Sequence, residues 1–327
     1  MSTILVTGAT GLTGANVCRL LVERGDHVRA LVRSGADAAP LAALGVDLAV
    51  GDVTDARSVA RAAAGCDAAI HCAALLGGST QILAEFEAVN ILGTRVVLDA
   101  GRAAGMDRVV ALSTGTFFDT TTGVEPEDAP IAAEPSSDPY TVTKLAAFRE
   151  AVARARAGQD VVTCHPGAIF GPAPVISRAL ARTSFNRVLL GGLRSRLVRY
   201  LRFPVSWVLA EDVARGTVAA LERGVSGERY MLDGRPEDVM SIAEACNRAC
   251  ALAGVAHRVE DVEPSDDPQL SETFGPTLVA IATKARADPR ARPAASRTAA
   301  RLGYVPTPLD DGLLEFIGWL KAIGRID

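Results

Sequence analysis

One short stretch near the N-terminus, Ile4-Leu5-Val6-Thr7-Gly8-Ala9-Thr10-Gly11-Leu12-Thr13-Gly14, constrains this chain more than any other. Its apolar run ends in three glycines spaced three apart, and the apolar spacing then turns helical through Val17, Leu20 and Leu21. The pattern predicts strand, tight turn and helix. Glycines let the backbone turn sharply and let a pyrophosphate approach without meeting a Cβ. A helix starting near Gly11 aims unpaired N–H groups and its positive end at the phosphates. A dinucleotide suits that arrangement best; for the motif alone, a glycine-rich turn with no ligand is the plainer alternative.

With 327 residues the chain can bury a sizeable core, in one large domain or in two that share an interface. A formal net charge of −4 suggests neither nucleic acid nor an anionic membrane as a partner. The cysteines (Cys18, Cys66, Cys72, Cys164, Cys246, Cys250) lie mostly in apolar elements without a C-x-x-C pair, and the histidines (His27, His71, His165, His257) are scattered singly. Neither a metal site nor a disulfide framework is indicated, and reduced thiols are expected. The N-terminus opens into a strand rather than a signal peptide. No apolar run reaches membrane-spanning length, since Val205 to Leu221 is broken by Glu211, Asp212 and Arg215. The expectation is a cytoplasmic protein.

Strand and helix patterns alternate through the first half, as in a parallel sheet covered on both faces. Strands are expected at His27 to Val32, Val46 to Val50, Asp67 to Cys72, Arg108 to Leu112, Asp160 to Cys164 and Glu228 to Leu232. Helices are expected from about Thr80 to Ala104, from Pro139 to about Arg156 and from Glu211 to Arg223. The fold class is therefore α/β, a doubly wound parallel (Rossmann) sheet whose ligand crevice opens at the strand C-termini. After Pro166 the alternation breaks. Residues 1–165 plus 205–232 are assigned to the dinucleotide-binding domain, and 166–204 plus 233–327 to a smaller substrate-binding region. That region includes helices at Ser241 to Ala253 and Leu309 to Ile323, and a Pro-, Ala- and Arg-rich run, Arg286 to Arg297, that reads as poorly ordered. Arginines 178, 182, 187, 194, 196, 199 and 202 read either as a solvated helical face or as a clamp on an anionic group.

Three features converge on the crevice. Tyr140 and Lys144, four apart at a helix start, share one face, and an ammonium beside a phenol lowers the phenol's pKa and makes it a usable acid or base. Ser113 and Thr114 end a strand where a hydroxyl can bond a substrate oxygen. Asn90 sits inside a helix, where an amide is seldom chosen for stability, and so is suited to hold a water or a helix distortion. Each has a plain reading by itself: a solvated helix face, an ordinary turn, a surface asparagine.

Together with Thr7 to Gly14, these residues resemble the extended short-chain dehydrogenase/reductase family, also called the NAD-dependent epimerase/dehydratase family, and within it dihydroflavonol reductase-like members. The resemblance runs through Val89-Asn90-Ile91-Leu92-Gly93-Thr94, His165-Pro166-Gly167-Ala168-Ile169-Phe170-Gly171-Pro172, Glu211-Asp212-Val213-Ala214 and Leu302-Gly303-Tyr304-Val305-Pro306. It implies a catalytic triad on Thr114, Tyr140 and Lys144, with Ser113 in reserve. Tyr140 would move the proton, Lys144 lower its pKa and hold the nicotinamide ribose, and Thr114 polarise the reacting oxygen. It also implies cofactor contacts at Thr7, Gly8, Thr10, Gly11, Leu12, Thr13, Gly14, Asp52, Val53, Cys72, Ala73, Ala74, Asn90, Pro166, Gly167, Ala168 and Ile169. NAD binders usually end the second strand with an acidic residue, whereas this chain has Arg33, which can pair with a 2′-phosphate. NADP(H) is favoured, with NAD(H) possible.

Gly115-Thr116 stand where sugar dehydratases of the family carry an Asp-Glu pair, so water elimination lacks its acid and base. The expected activity is interconversion of a ketone or aldehyde and an alcohol by hydride transfer; the alternative is a nucleotide-sugar epimerase. His165, Leu209 and Glu211 depart from the family's usual residues on the substrate side. Phe117, Phe118, Phe170, Phe185, Tyr200, Phe203 and Trp207 read either as the lining of an apolar substrate pocket or as core. The partner is a small-molecule substrate with an apolar or aromatic portion. The resemblance further implies a homodimer, for which Leu83, Val96, Phe148 and Val152 are candidate contacts.

Overall fold

Among the residues described by the computed structural model (1–34, 36–76, 82–119, 122, 124–265, 268–274, 278–279, 282–283 and 297–327), the strands follow the alternation of the sequence. In chain order they are β1 (Thr3–Thr7), β2 (His27–Val32), β3 (Asp47–Val50), β4 (Ala68–His71), β5 (Arg108–Leu112), β6 (Val161–Pro166), β7 (Ala168–Phe170), β8 (Arg199–Leu201), β9 (Trp207–Leu209), β10 (Arg229–Leu232) and β11 (Glu260–Val262). Seven form one all-parallel sheet in the order β10-β6-β5-β4-β1-β2-β3, while β7 pairs with β9 and β8 with β11. Strand order reverses at β1, which lies between β2 and β4. The C-terminal ends of β1 and β4 therefore face a crevice at the switch point.

Alternation of side chains explains why both faces are covered. Ile4 and Val6 enter the cluster formed with helices Leu12–Glu23 and Ala210–Arg223, whereas Leu5 between them enters the cluster formed with Ala56–Ala63 and Gly93–Ala103. A further apolar cluster joins β7 and β9 to helices Phe185–Leu193, Ile242–Leu252 and Leu309–Ala322. Cys246 and Cys250 are buried in it as free thiols.

The helix Pro139–Arg156 starts where the sequence sets it: Pro139 occupies the first turn and the Asp138 side chain accepts from Thr141 N. The expected long helix before β5 differs. Its first residues, 80 and 81, lie outside the described residues, and the remainder is Leu83–Phe86, a π-helical turn Glu87–Leu92 and Gly93–Ala103. A π turn carries one extra residue and re-aims the side chains around it. Of the run expected to be poorly ordered, 286–296 lie outside the described residues. The arginines between 178 and 202 do not form one helical face, because Ile176–Ala179, Phe185–Leu193 and β8 divide them.

Candidate active site

Sterics dictate the turn after β1. Gly8 has φ +66°, and a Cβ there would lie 2.5 Å from Ala73 N; a Cβ on Gly14 would lie 2.3 Å from Gly8 O. Both are confined by backbone, and the turn packs directly on the segment that leaves β4 at Cys72-Ala73. Gly11 is different, with φ −70° and Gly8 O as the nearest atom to its notional Cβ. The helix begins at Leu12 with no side-chain cap and no acidic residue in its first turn, so its positive end is free for an anion. Thr10 and Leu12 are half-buried beside it, and Thr13 is buried. Arg33 is exposed after β2. Asp52 Oδ1 accepts from Thr54 N and Oγ1, closing its own turn, and Val53 is buried.

A buried chain of polar groups leaves this turn. Thr7 Oγ1 lies 2.7 Å from His71 Nδ1, and His71 Nε2 lies 3.1 Å from Thr94 Oγ1. Thr94 donates to Asn90 O at 2.7 Å, so it accepts from His71, and His71 carries its hydrogen on Nε2. Asn90 donates from Nδ2 to Thr143 Oγ1 at 3.0 Å and to Leu75 O at 3.2 Å, while Leu75 N donates to Asn90 Oδ1. Thr143 in turn donates to Pro139 O at 2.6 Å. Apart from the reciprocal pair with Leu75, each hydrogen points the same way, from the glycine turn to the first turn of the Tyr140 helix. Burial and the nearby Lys144 charge push His71 down to about 3. The sequence gives only a hint of this residue, a polar side chain ending an apolar strand.

At the end of β5, Thr114 lies near the half-buried Tyr140 phenol and acts to lower its pKa. Lys144 is buried and donates to Leu112 O at 2.7 Å. Burial pushes this ammonium down to about 8, against a pull from Cys72. Tyr140 overturns one expectation: burial dominates and pushes the phenol up to about 12, with Thr114 acting against it, rather than Lys144 drawing it toward neutral pH. Among the described residues Ser113 Oγ is buried without a hydrogen-bond partner, an orphan just past the end of β5. Thr116 Oγ1 lies 3.3 Å from Thr141 Oγ1 above the pair.

From the end of β6 into β7, Pro166, Gly167 and Ile169 are half-buried and Ala168 is buried. A Cβ on Gly167 would meet Ser206 O at 2.5 Å and Asp233 Oδ1 at 2.9 Å. Burial pushes the Asp233 carboxyl up to about 6. Of the aromatic side chains, Phe117, Phe118, Phe170 and Trp207 are buried as core, whereas Phe185, Tyr200 and Phe203 are half-buried and Phe203 lines a surface cavity with Arg202 and Met240. Phe117 and Phe118 pack with Phe148 and Met231, Phe170 and Phe185 with Trp207, and Tyr200 with Phe274. Val96 and Phe148 are likewise buried within the subunit, which removes them as dimer contacts. Among the described residues no group of three or more His, Cys, Asp or Glu is placed to hold a metal ion, and no helix is long and apolar enough to cross a membrane.

The NAD dependent epimerase/dehydratase family model matches residues 4–232. The chain belongs to this family. Membership makes it an NAD(P)-dependent enzyme acting on a CH–OH group. Sterol demethylase protein B of Methylococcus capsulatus is 29% identical over 99% of the chain and 100% of its own length. The 4-hydroxy-2-methyl-3-oxo-4-farnesyl-3,4-dihydroquinoline-1-oxide ketoreductase of Stigmatella aurantiaca is 33% identical over 72% of the chain and 70% of its own length. Among solved structures, the crystal structure of gox2253 superposes over 100% of both chains with a TM-score of 0.83 at 26% identity.

Proposed function

We propose that this member of the epimerase/dehydratase family is an NADP(H)-dependent oxidoreductase that interconverts a ketone or aldehyde and an alcohol, with Tyr140 as general acid/base. The observation that carries the reading is the gathering of Thr114, the Tyr140 phenol and the buried Lys144 ammonium at the C-terminal end of β5, where Lys144 donates to Leu112 O.

The residues present fit a dinucleotide. A side chain on Gly8 or Gly14 would collide with backbone, the first helix is uncapped, and the orphan Ser113 hydroxyl waits at the strand end. Thr7, Gly8, Thr10, Gly11, Leu12, Thr13 and Gly14 would hold the pyrophosphate, Arg33, Asp52 and Val53 the adenosine end, and Cys72, Ala73, Ala74, Asn90 and residues 166–169 the remainder. A bound nicotinamide supplies or accepts the hydride. Thr114, with Ser113 in reserve, orients the substrate oxygen, and Tyr140 gives that oxygen its proton as charge develops on it. The Lys144 ammonium stabilises the phenolate left behind. The exposed Arg33 has no hydrogen-bond or ion-pair partner among the described residues and suits a 2′-phosphate, which favours NADP over NAD.

Two features bear on the substrate. The two relatives above are named for a sterol and for a farnesylated quinoline, which supports a substrate with an apolar portion. The arginines proposed to grip a sugar diphosphate are partly engaged elsewhere, Arg178 with Asp37, Arg194 with Arg325 O and Arg202 with Glu263, which argues against the epimerase alternative. We also propose a homodimer in the cytoplasm, formed through the outer faces of helices Gly93–Ala103 and Pro139–Arg156 and the turns before them, where Leu83, Leu92 and Val142 are exposed.

The test is titration with NADPH and NADH followed by a carbonyl panel of aromatic ketones, steroids and dihydroflavonols. Net NADPH oxidation is expected. Interconversion of a UDP-sugar without net oxidation would contradict the reading.

A further inference from the structure

We propose that His165 is a positioning residue that pins the Thr114 backbone, and through it the Thr114 hydroxyl, against the Tyr140 phenol. The inference rests on the reading above, in which Tyr140 moves the proton with Thr114 beside it.

His165 lies in β6 and is fully buried. Its Nδ1 is 2.8 Å from Thr114 O and its Nε2 is 3.0 Å from Thr163 Oγ1. A carbonyl oxygen can only accept, so Nδ1 carries the hydrogen, and Nε2 accepts from the Thr163 hydroxyl. This is the tautomer opposite to that of His71. The ring is held edge-on by Phe118 and Phe148, with centroids 5.1 and 5.2 Å away, and by Phe117 at 6.1 Å. That cage fixes the plane of the imidazole, and its two hydrogen bonds fix the tautomer.

What the cage holds is the loop backbone just past β5. Thr114 lies two residues past the end of β5 and precedes Gly115, which has no side chain to stiffen the turn. Thr114 Oγ1 makes only long contacts within its own loop, 3.4 Å from Thr116 N and 3.5 Å from Thr116 Oγ1. The direct restraint on its backbone from across the sheet is the 2.8 Å bond to His165. Burial is the largest cause pushing His165 down, to about 3, with the charges of Arg229 and Lys144 acting the same way, so the ring stays neutral while Tyr140 works.

Asparagine and glutamine separate the two ring nitrogens. The Asn amide nitrogen falls near Nδ1 and can still donate to Thr114 O; the Gln amide falls near Nε2 and cannot. The experiment measures kcat, KM and NADPH Kd for H165N, H165Q and the control Y140F, using the panel carbonyl with the highest turnover. It also records the imidazole ¹⁵N shifts of the parent. H165N is expected to keep kcat within about threefold, and H165Q to lose about tenfold or more in kcat with KM and NADPH Kd nearly unchanged, the scale of one buried hydrogen bond. The spectra should show two neutral rings of opposite tautomer.

Equal loss in H165N and H165Q, or none in either while Y140F is inactive, overturns the inference alone. Full turnover of Y140F overturns the parent reading and this inference with it. If H165Q does not fold, T163V serves: it removes the hydroxyl that donates to Nε2 and helps hold the ring against Thr114 O, and kcat should fall about threefold or more. Unchanged kcat in T163V overturns the proposal.

Discussion

The Asn90 amide donates to Thr143 Oγ1 at 3.0 Å, and this bond ties the π turn Glu87–Leu92 to the helix carrying Tyr140 and Lys144. The same side chain closes two bonds with Leu75 in the segment after β4. Asn90→Ala would strand the half-buried Leu75 amide. The variant is expected to lose about 2–4 kcal/mol in urea unfolding and to turn over more slowly. An unchanged unfolding midpoint would show that the π turn does not depend on this amide.

The glycines of the first turn should respond differently to alanine. Gly8→Ala places a side chain at φ +66° and 2.5 Å from Ala73 N, and should cost several kcal/mol, about 3 or more, or prevent folding. Gly11→Ala meets only Gly8 O at 3.2 Å, so its melting temperature should stay within a few degrees of the parent while its NADPH affinity drops. Calorimetry paired with a fluorescence titration separates the two effects.

Arg33 is the proposed reader of the 2′-phosphate. Arg33→Ala should weaken NADPH binding by about 10- to 100-fold, the worth of a charge-assisted hydrogen bond, and leave NADH binding nearly unchanged. Equal losses for both cofactors would place the phosphate elsewhere.

Two opposed pKa shifts set the pH behaviour. The phenol of Tyr140, pushed up to about 12, is protonated throughout the neutral range and ready to donate; Lys144, pushed down to about 8, loses its charge as pH rises through that value. Carbonyl reduction should therefore be flat near pH 7 and fall as pH rises through about 8, because a neutral lysine no longer stabilises the phenolate. Alcohol oxidation, which needs a deprotonated phenol, should rise with pH instead. A reduction rate that climbs above pH 8 would contradict these roles.

Much of the scaffold is legible in the chain because its code is local. The β2 and β5 boundaries coincide with those expected, as does the helix Pro139–Arg156, since apolar runs and a Pro after a capping Asp mark them directly. Gly8 and Gly14 are legible for the same reason. The polar chain is not, because Thr7 and His71 are 64 residues apart and only strand order makes them neighbours. Nor could composition show that Phe117, Phe118 and Phe148 cage His165 instead of lining a pocket, as both arrangements need the same residues. The Tyr140 phenol illustrates the limit on electrostatics. Spacing puts a lysine nearby, but the depth of burial, set by the whole fold, decides the direction of the shift.

Removing only the Tyr140 hydroxyl tests the central claim most directly. Single-turnover oxidation of bound NADPH by Y140F, with NADPH Kd measured on the same sample, should be slower by about 100-fold or more at unchanged Kd, the usual contribution of a positioned general acid. A Y140F rate within about twofold of the parent at equal Kd would remove the phenol from the chemistry, and the account with it.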